Sequence, residues 1–180
     1  VVKPIVSSMF NSRCQVDCID MQSQVDNSTG DNFKYIMVYQ CHLTKFCTLE
    51  PLKDKSAPTI ASKLIQIFKD KGAPLILHSD NGREFVNHVV SELLGLWPQC
   101  KMVNGKARHS QSQGSVERLN RDVESMLACW MRDTGRTDWS TGLAFVQYAK
   151  NCTLETPDWY LLCLKASTQP NIRTQGTTQE

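Results

Sequence analysis

Arg13-Cys14-Gln15-Val16-Asp17-Cys18-Ile19-Asp20 is an apolar run broken by two acids. Residues 13–21 therefore read as a short buried strand. Aspartate is depleted from strands and is seldom buried without a partner, so Asp17 is either an edge residue or a functional one. The fold depends on which, and the neighbouring segments decide it.

Downstream, Gly30, Asp31 and Asn32 mark a turn, and residues 33–39 are rich in aromatic and β-branched types, which predicts a second strand. A third strand is expected over 43–49, giving an antiparallel meander. Ser56 then opens a helix with Pro58 in its first turn; Ile60, Leu64, Ile67 and Phe68 recur on one face, and Gly72 stops it. Residues 74–78 predict a buried strand that ends at Ser79-Asp80-Asn81-Gly82, and a helix follows over 84–94. A strand at 100–103 leads to a polar loop from 104 to 114, and the loop leads to the longest helix. There Val116, Leu119, Val123, Met126, Leu127 and Trp130 fall at i, i+3, i+7, i+10, i+11 and i+14, so one side faces a core. Glu117, Asn120, Arg121 and Glu124 share an adjoining face. Gly135 ends this helix, and Asp138 can cap a last one that buries Trp139, Leu143 and Val146. Order alone admits several α/β arrangements.

Three acids stand out in this layout: Asp17 within the first strand, Asp80 at the C-terminal end of a later one, and Glu117 in the first turn of a helix. Open α/β sheets place their ligands at such strand ends. Clustered carboxylates repel one another and take up protons unless a cation compensates them. Two Mg²⁺ (or Mn²⁺) ions about 3.5–4 Å apart need a bridging carboxylate and a further acid each. Asp17 suits the bridge, with Asp80 completing one site and Glu117 the other. Taken singly, Asp80 before Asn-Gly also suits a turn, and Glu117 suits a helix start.

The residues around these acids carry a resemblance. Gln15-Val16-Asp17-Cys18, His78-Ser79-Asp80-Asn81-Gly82 with Phe85, and Ser112-x-Gly114-x-x-Glu117-x-x-Asn120 are similar to the three acid motifs of integrase catalytic cores of the retroviral, Ty3/gypsy-like and GIN types, and of host genes derived from them. It spans roughly residues 13–151. Departures are Cys14 where many relatives have Trp, Ser110 where many have Pro, Glu124 where Lys is frequent, and an interval of 117 − 80 − 1 = 36 residues, one longer than usual.

The resemblance implies an RNase H-like α/β fold, a mixed five-stranded sheet flanked by helices. It also implies DNA integration by phosphoryl transfer, with Asp17, Asp80 and Glu117 as catalytic metal ligands and two Mg²⁺ (or Mn²⁺) ions as cofactors. DNA is then the expected partner, contacted by Gln113, Asn120, Arg121, Arg118, Arg108, Lys106 and Lys101, and a homodimer or higher multimer is expected by analogy. The alternative is a domesticated, catalytically silent nucleic-acid-binding or protein-interaction module.

Composition adds bounds rather than detail. The net charge of +2, from 20 Lys+Arg against 18 Asp+Glu, announces no nucleic-acid binder by itself. Eight cysteines form no Cys-x-x-Cys, and most lie in apolar runs (Cys14, Cys18, Cys47, Cys100, Cys129), as free buried thiols do. No signal peptide or membrane span is expected, and by resemblance the site of action is the nucleus. The expected organisation is a lead-in over 1–12, the core over 13–151, and a divergent, Thr/Gln-rich disordered tail over 152–180.

Overall fold

The computed structural model describes residues 9–80, 82, 85–104 and 110–152, with side chains in the last stretch described from residue 114 on. Strands β1 (Arg13–Asp20), β2 (Tyr35–Cys41) and β3 (Cys47–Leu52) form the antiparallel meander. Helix α1 (Ala57–Lys71), strand β4 (Ile76–Ser79), helix α2 (His88–Gly95), strand β5 (Lys101–Asn104), helix α3 (Ser110–Thr134) and helix α4 (Trp139–Cys152) follow. The sheet order is β3-β2-β1-β4-β5, with β4 and β5 parallel to β1. This is the mixed five-stranded sheet of the RNase H-like fold.

Alternation along β1 builds two cores. Cys14 and Val16 point to one side, where they pack with Leu64, Phe68, Leu77 and Val90 beneath α1 and α2. Ile19 points to the other, joining Ile36, Val38, Leu119, Val123 and the fully buried Trp139 beneath α3 and α4. Each such buried side chain contributes about 1.5–3 kcal/mol. Asn11 fastens the first layer: its amide donates to the last carbonyls of α1, Lys71 O and Gly72 O, while its Oδ1 accepts from Tyr39 and Cys14. Gly72 (φ 79°) and Gly135 (φ 66°) stop their helices in the left-handed region, as the sequence predicts.

Several boundaries differ from expectation. β3 starts at Cys47 instead of 43, because the chain turns at Lys45 (φ 60°), whose N–H donates to Cys41 O. α2 starts at His88 instead of 84, because the Asn87 side chain accepts from Val90 N and caps it there. α3 starts at Ser110, so Gly114 lies inside the helix and Glu117 is not in its first turn. The seven described cysteines are free, as expected, but Cys129 and Cys152 are exposed. No described helix is long and apolar enough to cross a membrane. The lead-in over 1–8, the loop over 105–109 and the tail from 153 lie outside the described residues.

Candidate metal and nucleic-acid site

On β1, the residues alternating away from Cys14 and Val16 are Gln15, Asp17 and Ile19, so Asp17 lies on the face that α3 covers. It is half-buried between that helix and the sheet. Its Oδ1 accepts the N–H of Cys18 at 2.8 Å, and its Oδ2 accepts Asn120 Nδ2 at 2.8 Å. The second bond pins the helix onto the strand. Asn120 Oδ1 points inward as well and is buried without a partner.

Asp80 follows the last residue of β4. The parallel register pairs Gln15 with His78, and continuing it by two residues sets Asp80 level with Asp17. Asp80 Oδ1 accepts Gly82 N–H at 2.9 Å, the local turn that its sequence context predicts. Ser79, buried, ties this end of β4 to β5 through Asn104 Oδ1 at 2.9 Å. Glu117 stands one helical turn before Asn120 on the same stripe of α3 and is exposed.

The fold thus brings Asp17, Asp80 and the Glu117–Asn120 stripe to one end of the sheet. Among the described residues, however, no three His, Cys, Asp or Glu side chains are gathered closely enough to hold an ion. The donor chemistry itself suits Mg²⁺, which takes oxygen ligands: three carboxylates beside an orphaned amide oxygen. Glu117 makes no hydrogen bond or ion pair among the described residues, so it can turn toward the other two without breaking one.

The expected DNA contacts divide. Arg118 and Arg121 are exposed on α3 beside Glu117. Lys101 pairs with Ile76 at the opposite end of β5 from Asn104, so it sits four residue pairs from the level of Asp80, roughly 13 Å. The amide of Asn120 is engaged by Asp17. Lys106, Arg108 and the side chain of Gln113 lie outside the described residues. Asp122, which shares the helix with Arg118 and Arg121, is paired with Lys150.

Sequence reasoning missed a polar group on the same sheet face. Ser115 donates to Gln40 Oε1 at 3.2 Å and accepts from Lys45 Nζ at 3.0 Å. Arg13 Nη1 lies 2.7 Å from His78 Nε2, and the His42 and His78 rings are 5.5 Å apart. Burial, then the nearby His78, Lys45 and Arg13, push His42 down to about 4. Burial also lowers His78, with Arg13 adding to it. The signal was present in the period-two alternation, which puts Arg13 and Gln15 on the face of Asp17.

The chain is similar to several known proteins. It is 45% identical over 149 residues to a human KRAB-A domain-containing protein 2, covering 83% of this chain and 30% of that one. It is 35% identical over 122 residues to the Gag-Pol polyprotein of feline leukemia virus, covering 64% of this chain and 7% of the polyprotein. The chain therefore spans less than a third of either relative. No family model matches it. Among solved structures, the catalytic core domain of BIV integrase superposes with a TM-score of 0.68 at 21% identity, covering 88% of this chain and 99% of that one. The HTLV-2 integrase catalytic core domain in complex with magnesium gives 0.62 at 17%, covering 78% and 84%. At these identities the structures attest the fold, and the sequence relatives attest the kinship. The chain is an integrase-like region, homologous to retroviral Pol polyproteins and to a KRAB-A domain-containing protein, with the RNase H-like fold of integrase catalytic cores.

Proposed function

We propose that this region is an integrase-type polynucleotidyl transferase core acting on DNA, with Asp17, Asp80 and Glu117 as the carboxylates that hold two Mg²⁺ or Mn²⁺ ions. The observation that carries this reading is the Asn120–Asp17 bond, which lays the Glu117 turn of α3 over the strand whose neighbour ends in Asp80. When bound, such ions activate the attacking oxygen and stabilise the leaving one in an in-line displacement. Asn120 holds one Asp17 oxygen and the Cys18 N–H the other, which fixes the carboxylate's orientation. Arg118 and Arg121, exposed beside Glu117, contact backbone phosphates, joined by Lys106, Arg108 and Gln113; Lys101 serves a strand passing farther along the sheet. An HTLV-2 integrase core is known in dimeric and trimeric forms, which supports a homodimer or higher multimer here. Action on chromosomal DNA places the chain in the nucleus.

A catalytically silent, domesticated module is favoured by one observation: among the described residues no three His, Cys, Asp or Glu side chains are gathered closely enough to hold an ion. The two readings separate when the chain and its Asp80→Asn variant are incubated with pre-nicked, branched DNA and Mn²⁺. Strand-transfer or disintegration products from the parent, lost in Asp80→Asn, support the enzyme. Equal products from both, or none from either, assign the silent module.

A further inference from the structure

The sheet face that carries Asp17 also carries positive charge that no described carboxylate meets. β1 and β2 continue from the pair Cys14–Cys41 to Arg13 beside His42, whose N–H donates to Arg13 O at 2.9 Å. Arg13 Nη1 donates to His78 Nε2 at 2.7 Å, and His42 packs 5.5 Å from His78 with the rings tilted by 30°. Gln15, only 5% exposed, has its Oε1 buried without a partner, and so has His42 its Nε2. Lys45 approaches the same group from the β2–β3 turn, and Arg118 approaches Lys45 from α3.

Two imidazoles suggest a transition metal, but the geometry argues against it. His78 Nε2 is already bonded to a guanidinium, and that fixed charge repels a cation. What the group lacks is acceptors. Arg13 has four further N–H donors of its five, and His42 in the Nε2–H tautomer has one more. Turning the Gln15 amide by 180°, an assignment that heavy atoms leave open, puts a donor where the orphaned oxygen lies. Guanidinium, amide and imidazole donors gathered on one sheet face suit an oxyanion with several lone pairs.

We propose that Arg13, Gln15 and His42, with Lys45 at the rim, form a phosphate-binding pocket that holds a backbone phosphate of the nucleic-acid strand treated at Asp17 and Asp80. Arg13 and Asp17 are four residues apart on one face of β1, roughly 13 Å at strand rise. That is about four phosphate intervals of one strand measured along the axis of a B-form duplex. The source of the phosphate rests on the DNA reading above; the anion pocket does not, since it needs neither metal nor carboxylate.

The test is binding by the full chain in the presence of a chelator, with inorganic phosphate in one arm and a short single-stranded oligodeoxynucleotide in the other, followed by the side-chain NMR signals of Gln15 and Arg13. Phosphate should move those signals, and Arg13→Gln should weaken its binding about tenfold or more. The distant Lys53→Gln should stay within about twofold of the parent. The oligonucleotide should lose affinity with Arg13→Gln as well. Phosphate that leaves Gln15 unmoved, or binds Arg13→Gln as well as the parent, overturns the pocket. Loss confined to inorganic phosphate overturns the nucleic-acid source. Should Arg13→Gln fail to fold, His42→Gln decides by the same criteria. A chain inactive in strand transfer that still passes the phosphate arm separates failure of the enzyme reading from failure of the pocket.

Discussion

Asn120 donates to Asp17 with both partners half-buried, and this bond ties α3 to β1 beside the apolar packing of Ile19 with Leu119 and Val123. A bond to a charged carboxylate contributes about 1.5–3 kcal/mol, less where water reaches it. Asn120→Ala is therefore expected to lower unfolding stability by about 1–2 kcal/mol in a urea titration. Glu117→Ala, one turn earlier, exposed and making no hydrogen bond or ion pair among the described residues, should change it by less than about 0.5 kcal/mol. Equal losses for the two would mean that Asn120 has no special hold on the strand. Asp17 was legible in the sequence because alternation along a strand names the face of every residue. The bond from Asn120 was not, because it joins residues 103 positions apart.

At the scale of elements, β3 is an edge strand, and its free backbone groups need covering. Helix α4 covers them with side chains. Asn151 accepts Cys47 N–H and donates to Cys47 O, both at 2.9 Å, and Gln147 accepts Leu49 N–H at 2.7 Å. These two amides act as a missing neighbouring strand. Asn151→Leu leaves a buried donor and acceptor unmet, which costs about 2–3 kcal/mol, whereas Gln147→Ala, half-buried and reachable by water, should cost about 1 kcal/mol or less. Urea unfolding of the two variants checks the order; a reversed order would contradict the edge-covering role. The element misreadings have physical causes too. Pro51 belongs to β3, which runs to Leu52 past the expected end at 49, and an edge strand tolerates it. The turn before β3 contains no Gly, since Lys45 takes the left-handed conformation itself. Gly114 and its polar neighbours read as loop, yet one Gly costs a helix only about 1 kcal/mol against Ala, and α3 runs through it.

For the molecule as a whole, the meander and the amphipathic helices were visible in the sequence, whereas the sheet order was implied only by the resemblance, because element order alone admits several α/β arrangements. Asp17 within the first strand and Asp80 after a later one were legible from the strand pattern, whereas Glu117 was read into the first turn of its helix and lies beyond it. The cationic group around Arg13 was not legible, because Arg13, His42 and His78 come from three strands brought together only by their register. The central claim is that the three acids form one metal site. Its most direct measurement is the thermal unfolding of the full chain and of its Asp17→Asn, Asp80→Asn and Glu117→Gln variants with and without Mn²⁺. An ion present at a hundred times its dissociation constant adds about 2.7 kcal/mol to the folded state. The account predicts a clear rise in the melting temperature of the parent that is lost in Asp17→Asn and Asp80→Asn and reduced in Glu117→Gln. An equal rise in all four proteins would contradict it.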